Sequence, residues 1–291
     1  MNVYKIPFSI ALLSAAIIAL QLALIQILSI SQWYHFAYMV ISIALLGFGA
    51  AGSLLAIFQK YLASRTEFLL PFLMTATAIT MSLVTDVSQM SFIRFDSYLL
   101  FADYAHLGKL ILTYLLFFIP FFLGALAIGL VFVRNVDTIG KVYFANLLGS
   151  GAGSVVALLL IWSFFPNQLP ALIAILPVLA GLIVVPENRR LLHIGFALVA
   201  FGVIAWKCLH PPDLILSEYK DLSKTLLLPD AKIRMEKTSP YGVLQLVASP
   251  ALRYAPGMSL TAQKPAQLKM AAFINGDWFG GVTDWKKTDS S

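Results

Sequence analysis

The stretch "YFANLLGSGAGSVVALLL", residues 143–160, decides how this chain is read. Gly149, Gly151 and Gly153 alternate there as in a turn that cradles a nucleotide phosphate. A second run, "GFGAAGS", gives G-x-G-x-x-G outright with Gly47, Gly49 and Gly52. A dinucleotide turn needs a strand before it, a helix after it, and an acidic residue about 20 positions on to hold the ribose. After Gly153 the next acidic residue is Glu187, and after Gly52 it is Glu67. Both runs also lie inside apolar segments, where an open loop would leave backbone groups unpaired in hydrocarbon. Read as helix, Gly149 with Gly153 and Gly49 with Gly52 fall three or four apart on one face. That spacing lets helix backbones approach closely in lipid. "FFLGALAIG" extends the pattern with Gly124, Ala127 and Gly129. The expectation is helix packing at all these glycines, with no bound cofactor.

Composition points the same way. Of 291 residues, 59% are hydrophobic and only 12% charged, with a mean hydropathy of +0.84. Soluble domains carry about a quarter charged residues. The formal charge of +6 does not form a nucleic-acid patch, because the basic residues are scattered at the edges of apolar runs. Cys208 is the single cysteine, so no intrachain disulfide or cysteine metal site exists.

Crossing the hydrocarbon core takes about 20 mostly apolar residues. Seven runs qualify, at about 7–30, 34–58, 69–86, 110–133, 142–165, 169–186 and 191–208. The first follows Lys5 but is longer than a signal peptide's apolar stretch and lacks a small-x-small cleavage site, so it reads as a retained anchor. Lys5, Lys60, Arg65, Arg134, Lys141, Arg189 and Arg190 fall on one side of such a bundle, and only Arg94 and Lys109 lie in the loops of the other. The positive-inside rule then predicts an inner-membrane protein with a cytoplasmic N-terminus and its C-terminal tail outside.

Composition changes near residue 209. The expected organisation is an all-α polytopic bundle over residues 1–208 and a small, mostly β appendage over 209–291. "LSEYKDLSKTLLL" predicts a short helix. "AKIRMEKT" and "VLQLVAS" alternate around "SPYG" as a hairpin, and Asn275-Gly276 within "AAFINGDWFGGVT" marks a second.

Other polar residues offer little chemistry. No Asp, Glu, Lys or Arg falls mid-span, which counts against ion-coupled transport. Asn146 is a possible intramembrane polar site, with interhelical hydrogen bonding the preferred reading. His35, His106, His193 and His210 are separated and flank spans, so they read as interfacial residues and not as a zinc set. Asp86, Asp96, Asp103 and Arg94 occupy the long third loop, where a solvated loop with a surface ion pair is preferred to a catalytic carboxylate pair. Pro120 and Pro177 are expected to kink their spans.

The same segments carry a family resemblance. "YFANLLGSGAGSVVALLL" resembles the membrane segment of spermidine-synthase-like proteins, which join a multi-spanning region to an aminopropyltransferase domain. Asn146 stands where that family carries an aspartate. "EYKDLSKTLLLPDAKIRMEKTSPYGVLQLVASPALRYAPGMSL" resembles the family's linker and small β-domain, and "FINGDW" its hairpin. The resemblance implies a Rossmann-like domain further on, binding a decarboxylated S-adenosylmethionine-type cofactor. That domain's strand and glycine turn have no counterpart before "GGVTDWKKTDSS". The expectation is therefore a membrane portion, non-catalytic alone and embedded in the lipid bilayer. It would anchor or scaffold an aminopropyltransferase-type domain, as a split or truncated product or with a separate partner. A polyamine-like small-molecule transporter is the competing reading, and an inactive truncated product a third.

Overall fold

Hydrocarbon offers no hydrogen bonds to a backbone, so long apolar runs close their own as helices. The computed structural model describes residues 5–252 and 268–283. It has seven helical segments long and apolar enough to cross a membrane. They comprise α1 (Lys5–Ser31), α2 (Met39–Ser64), α3 (Thr66–Gln89), α4 (Tyr104–Arg134), α5 (Ile139–Ser163), the pair α6 (Leu169–Ile173) and α7 (Ile175–Ile183), and α8 (Arg190–Leu209). The sequence-based spans match these helices to within a few residues, except that α2 runs on past 58 to Ser64 and α4 starts before 110, at Tyr104.

Helix interruptions follow backbone chemistry only in part. The sixth span breaks at Ala174, between α6 and α7. Pro177 explains the position, since its missing N–H and its ring disrupt the turn at the Ile173 carbonyl, four residues back. Pro120 does not end its helix: α4 runs through it as one element. The distortion inside α2 falls at Phe58, with φ −110° and ψ 21° and no proline near it.

Helix α1 is the centre of the bundle and packs on α5, α7, α4 and α6. Its alanines at 11, 15, 19 and 23 repeat every four residues, and the last three are buried. The buried face of α5 is Val142, Ala145, Gly149, Gly153, Ala157 and Ile161, a second stripe of mostly small side chains. A Cβ on Gly149 would lie 2.6 Å from the Cα of Ala11, and one on Gly153 2.5 Å from the Cα of Ala15. The two stripes meet in register. Gly124 of α4 faces Ile17 of α1, where a Cβ would lie 2.7 Å from its Cδ1.

Gly49 and Gly52 need correction as packing residues. No atom lies within 4 Å of a Cβ built on either, and the close approach of α2 to α4 is made by Gly47, against Phe121 and Phe122. A helix turn advances each residue about 100°, so the face that holds Gly47 and Ala51 inward turns Gly49 and Gly52 outward.

After α8 the chain runs extended to a short helix, α9 (Asp221–Leu226), then forms four strands: β1 (Lys232–Ser239), β2 (Gly242–Ala248), β3 (Leu268–Ile274) and β4 (Asp277–Thr283). They form one antiparallel sheet in the order β1-β2-β3-β4. Val247, Ala271 and Phe273 pack with Leu222 of α9 into a small separate core. Edge strand β1 is exposed from Lys232 to Lys237 and carries an irregularity between Ile233 and Met235. The part of the tail resemblance from residue 253 to 267, and the end of the chain after Thr283, lie outside the described residues.

Candidate functional site

The most elaborated polar site lies where the sheet meets the bundle. The last four carbonyls of a helix have no intrahelical donor, and the helix dipole makes that end negative. At the end of α1 two of them are met from the tail. Lys220 Nζ donates to Ser29 O at 2.9 Å, and Ser217 N to Ser31 O at 3.3 Å. Lys220 also donates to Asn275 O at 2.6 Å and to Asp277 Oδ2 at 3.1 Å. All three ammonium protons are therefore used.

Lys220 is fully buried at 0% exposure, whereas the Asp277 side chain is 44% exposed. Burial holds the Lys220 pKa below the usual lysine value, with the Asp277 and Asp221 charges opposing that shift. The turn that meets it has φ 53° at Asn275 and φ 81° at Gly276. These values fit the two-residue hairpin that Asn-Gly predicts. Asn275 Nδ2 donates to Ser29 Oγ at 3.0 Å, while its Oδ1 accepts from Val243 N at 2.9 Å. Glycine is required at 276 for space as well as for φ: a Cβ there would lie 2.7 Å from Leu216 Cδ2 and 2.9 Å from Lys220 Cδ. Leu222 N then donates to Gly276 O at 2.9 Å, closing the clamp.

Beside it, the 90–103 loop is fastened to the same end of α1. Buried Gln32 donates to Phe95 O at 2.8 Å and accepts from Ser97 N at 2.9 Å, so its amide replaces a strand partner. Asp96 accepts from Tyr98 N at 3.0 Å and from Ser217 Oγ at 2.8 Å. Its backbone N–H donates to His106 Nδ1 at 2.8 Å, which leaves the imidazole proton on Nε2. Tyr98 stacks on Tyr219 with centroids 5.2 Å apart, and burial pushes its phenol pKa up. A cavity of about 220 Å³ opens here, with Arg94, Lys109 and Glu218 on its wall. Among the described residues none of these three forms an ion pair.

The residues singled out from sequence lie elsewhere. Asn146 accepts from Ser14 Oγ at 2.6 Å, a bond between α5 and α1. It is about 22 Å along α5 from Ile161, whose carbonyl receives Thr238 Oγ1 of the sheet. Gly124, Gly149 and Gly153 lie in helix contacts and Gly49 and Gly52 on the outer face of α2, so none of the five reaches the junction.

The third-loop carboxylates do not form one group. Asp86 belongs to the last turn of α3 and pairs with Lys207 of α8 at 2.5 Å, the two side chains 17% and 18% exposed. Asp103 caps α4 by accepting from Ala105 N at 2.9 Å. Asp96 bonds the tail, and the expected surface pair with Arg94 is not formed. His193, in the first turn of α8, is buried inside the protein, its ring 5.4 Å from that of Phe68 on α3. Among the described residues no three His, Cys, Asp or Glu side chains come together as a metal site.

Sequence reasoning missed Lys220, Gln32 and Ser217. The available signal for Lys220 was a lysine immediately before a short helix, and many solvated lysines share it. Chemically, the junction holds surfaces together and binds backbone groups, and its hydroxyl–carboxylate contact, Ser217 Oγ on Asp96 at 2.8 Å, ties the tail to the 90–103 loop. Compared with models of known protein families, with curated proteins and with solved structures, the chain matches none of them.

Proposed function

We propose that this chain is a membrane scaffold that presents its four-stranded sheet as a fixed platform for a soluble domain of the aminopropyltransferase type. The observation that carries this reading is the Lys220 clamp, which ties the end of α1 to the β3–β4 turn through three bonds from one buried ammonium. A tether that merely kept a soluble domain near the bilayer would need no such fixed angle, because a flexible linker supplies proximity alone. The resemblance of residues 143–154 and 218–278 to spermidine-synthase-like proteins supplies the class of domain.

The basic residues Lys60, Arg65, Arg134, Lys141 and Arg190 lie at the ends of α2, α3, α4, α5 and α8 opposite the sheet. In our reading this basic end is cytoplasmic in an inner membrane and the sheet projects from the other side. Within the spans, several polar side chains bond within the bundle, Ser9 Oγ to Ala180 O at 2.7 Å, Ser14 to Asn146 and Thr77 Oγ1 to Leu73 O at 2.7 Å, while Gln26 Nε2 and Thr85 Oγ1 are buried without a partner among the described residues. The bonds within the bundle favour a scaffold over a transport pathway.

A photo-crosslinking amino acid at Met235, on the exposed strand β1, tests the scaffold reading in intact membranes. Adducts with an aminopropyltransferase-type chain are expected. Adducts with lipid alone, together with uptake of labelled putrescine by proteoliposomes, would replace this reading with transport. Single cysteines at Glu187 and Phe101, in a Cys208→Ser background, test the orientation. An impermeant maleimide added to intact cells is expected to label the Phe101 position only.

A further inference from the structure

We propose that the wedge between the basic-end halves of α1 and α5 binds one anionic glycerophospholipid. The wedge has a volume of about 800 Å³, within the range of small-molecule sites. Phe8, Ala11, Phe144 and Leu148 give it an almost wholly apolar wall, which suits an acyl chain. Lys5 and Lys141 are the charged residues on that wall, and both are exposed. They occupy the first turns of α1 and α5, so they lie at one mouth of the wedge.

Helix geometry makes this opening. Ala11 both lines the wedge and meets Gly149, so the wedge begins where the close contact of the two small-residue stripes ends. Toward the basic end the stripe positions Pro7 and Ala145 line the wedge, and beside them Phe8 and Phe144 are half or more exposed, at 60% and 65%. The proline ring breaks the run of small side chains on α1, and the two phenyl rings wall the opening. What fills an apolar wedge open to a bilayer is a lipid tail.

The headgroup preference comes from charge. No acidic side chain is among the described lining residues. Lys5 also borders a neighbouring cavity that contains Glu67 and Glu187, but Glu67 is engaged by Arg134 at 3.2 Å. Two ammonium groups above an apolar slot match a phosphate diester with a neutral glycerol headgroup, and they repel the choline of a zwitterionic lipid. Basic residues near a membrane surface each favour anionic lipid by roughly fivefold, so two together favour it tens-fold.

Native mass spectrometry of the full, delipidated chain with equal amounts of phosphatidylglycerol and phosphatidylcholine of matched chains tests this. One bound lipid is expected, with a tens-fold preference for phosphatidylglycerol. K5Q/K141Q is expected to bring that preference near unity while total lipid binding persists, and Leu148→Trp to reduce binding of both lipids by filling the slot. K141Q alone, expected to lower the preference about fivefold, serves if the double variant does not fold. An equal wild-type affinity for the two lipids, or a preference that survives both lysine substitutions, overturns the proposal.

Discussion

Replacing Lys220 by methionine keeps the length of the side chain and removes its charge and donors. The loss is worked from the three bonds. Hydrogen bonds to a charged donor contribute about 1.5–3 kcal/mol each, so losing those to Ser29 O and Asn275 O amounts to about 3–6 kcal/mol. The Asp277 bond adds little, because a carboxylate 44% exposed regains water and its pairing energy is screened. Against this stands relief of desolvation, several kcal/mol for a buried ion. The balance is a docking equilibrium weakened by about 1–3 kcal/mol, or roughly 5–150-fold. Two amides report the clamp: Ser217 N bonds Ser31 O at the end of α1, and Leu222 N bonds Gly276 O between α9 and the β3–β4 turn. Hydrogen exchange at both is expected to accelerate by that factor in Lys220→Met, with the amides of α4 unchanged. A change below about twofold at Leu222, in a protein whose sheet remains folded, would refute the clamp.

Three further outcomes follow from the same geometry. Because burial lowers the Lys220 pKa, the undocked chain binds more protons between that lowered value and the ordinary 10.5, so docking strengthens as pH rises through this window; Lys220→Arg, which cannot deprotonate there, should lose the increment in pH-dependent exchange at Leu222. Gly153→Leu should lower stability in detergent by about 1–3 kcal/mol through overpacking, whereas Gly49→Ala, facing open space, should be neutral or stabilising by up to about 1 kcal/mol; thermal unfolding followed by tryptophan fluorescence separates the two. A double-mutant cycle with Asp86→Asn and Lys207→Met should give a coupling of about 1–2 kcal/mol, between surface and buried pairs, and a value near zero would mean the pair is solvated.

The spans were legible because hydrocarbon imposes one rule on every backbone group, and composition reports it. The Asn275-Gly276 turn was legible because its positive φ values restrict residue choice locally. Small-residue spacing was less informative. It marks one face of a helix without saying which face finds a neighbour, so it suited Gly149 and Gly153, which meet Ala11 and Ala15, and misplaced Gly49 and Gly52 in a helix whose contact is made by Gly47. The alanines at 11, 15, 19 and 23 of α1 were the complementary signal. Lys220 was not legible, because its environment is assembled from Ser29, Asn275 and Asp277, parts of the chain far apart in sequence. The burial of His193 was not legible for a related reason: proximity to a helix end says nothing about whether α3 covers that turn.

The outer strand of the sheet has a consequence for life in a crowded bilayer. Among the described residues strand β1 is paired on one side only, and Lys232, Arg234, Glu236 and Lys237 stand along it while its register slips between Ile233 and Met235. Such charges and irregularities keep sheet edges from zipping onto one another. Neighbouring copies confined to the same plane, all with sheets at one height, would collide edge-on far more often than molecules tumbling in three dimensions. The mostly cationic rim makes such edge-on collisions repulsive.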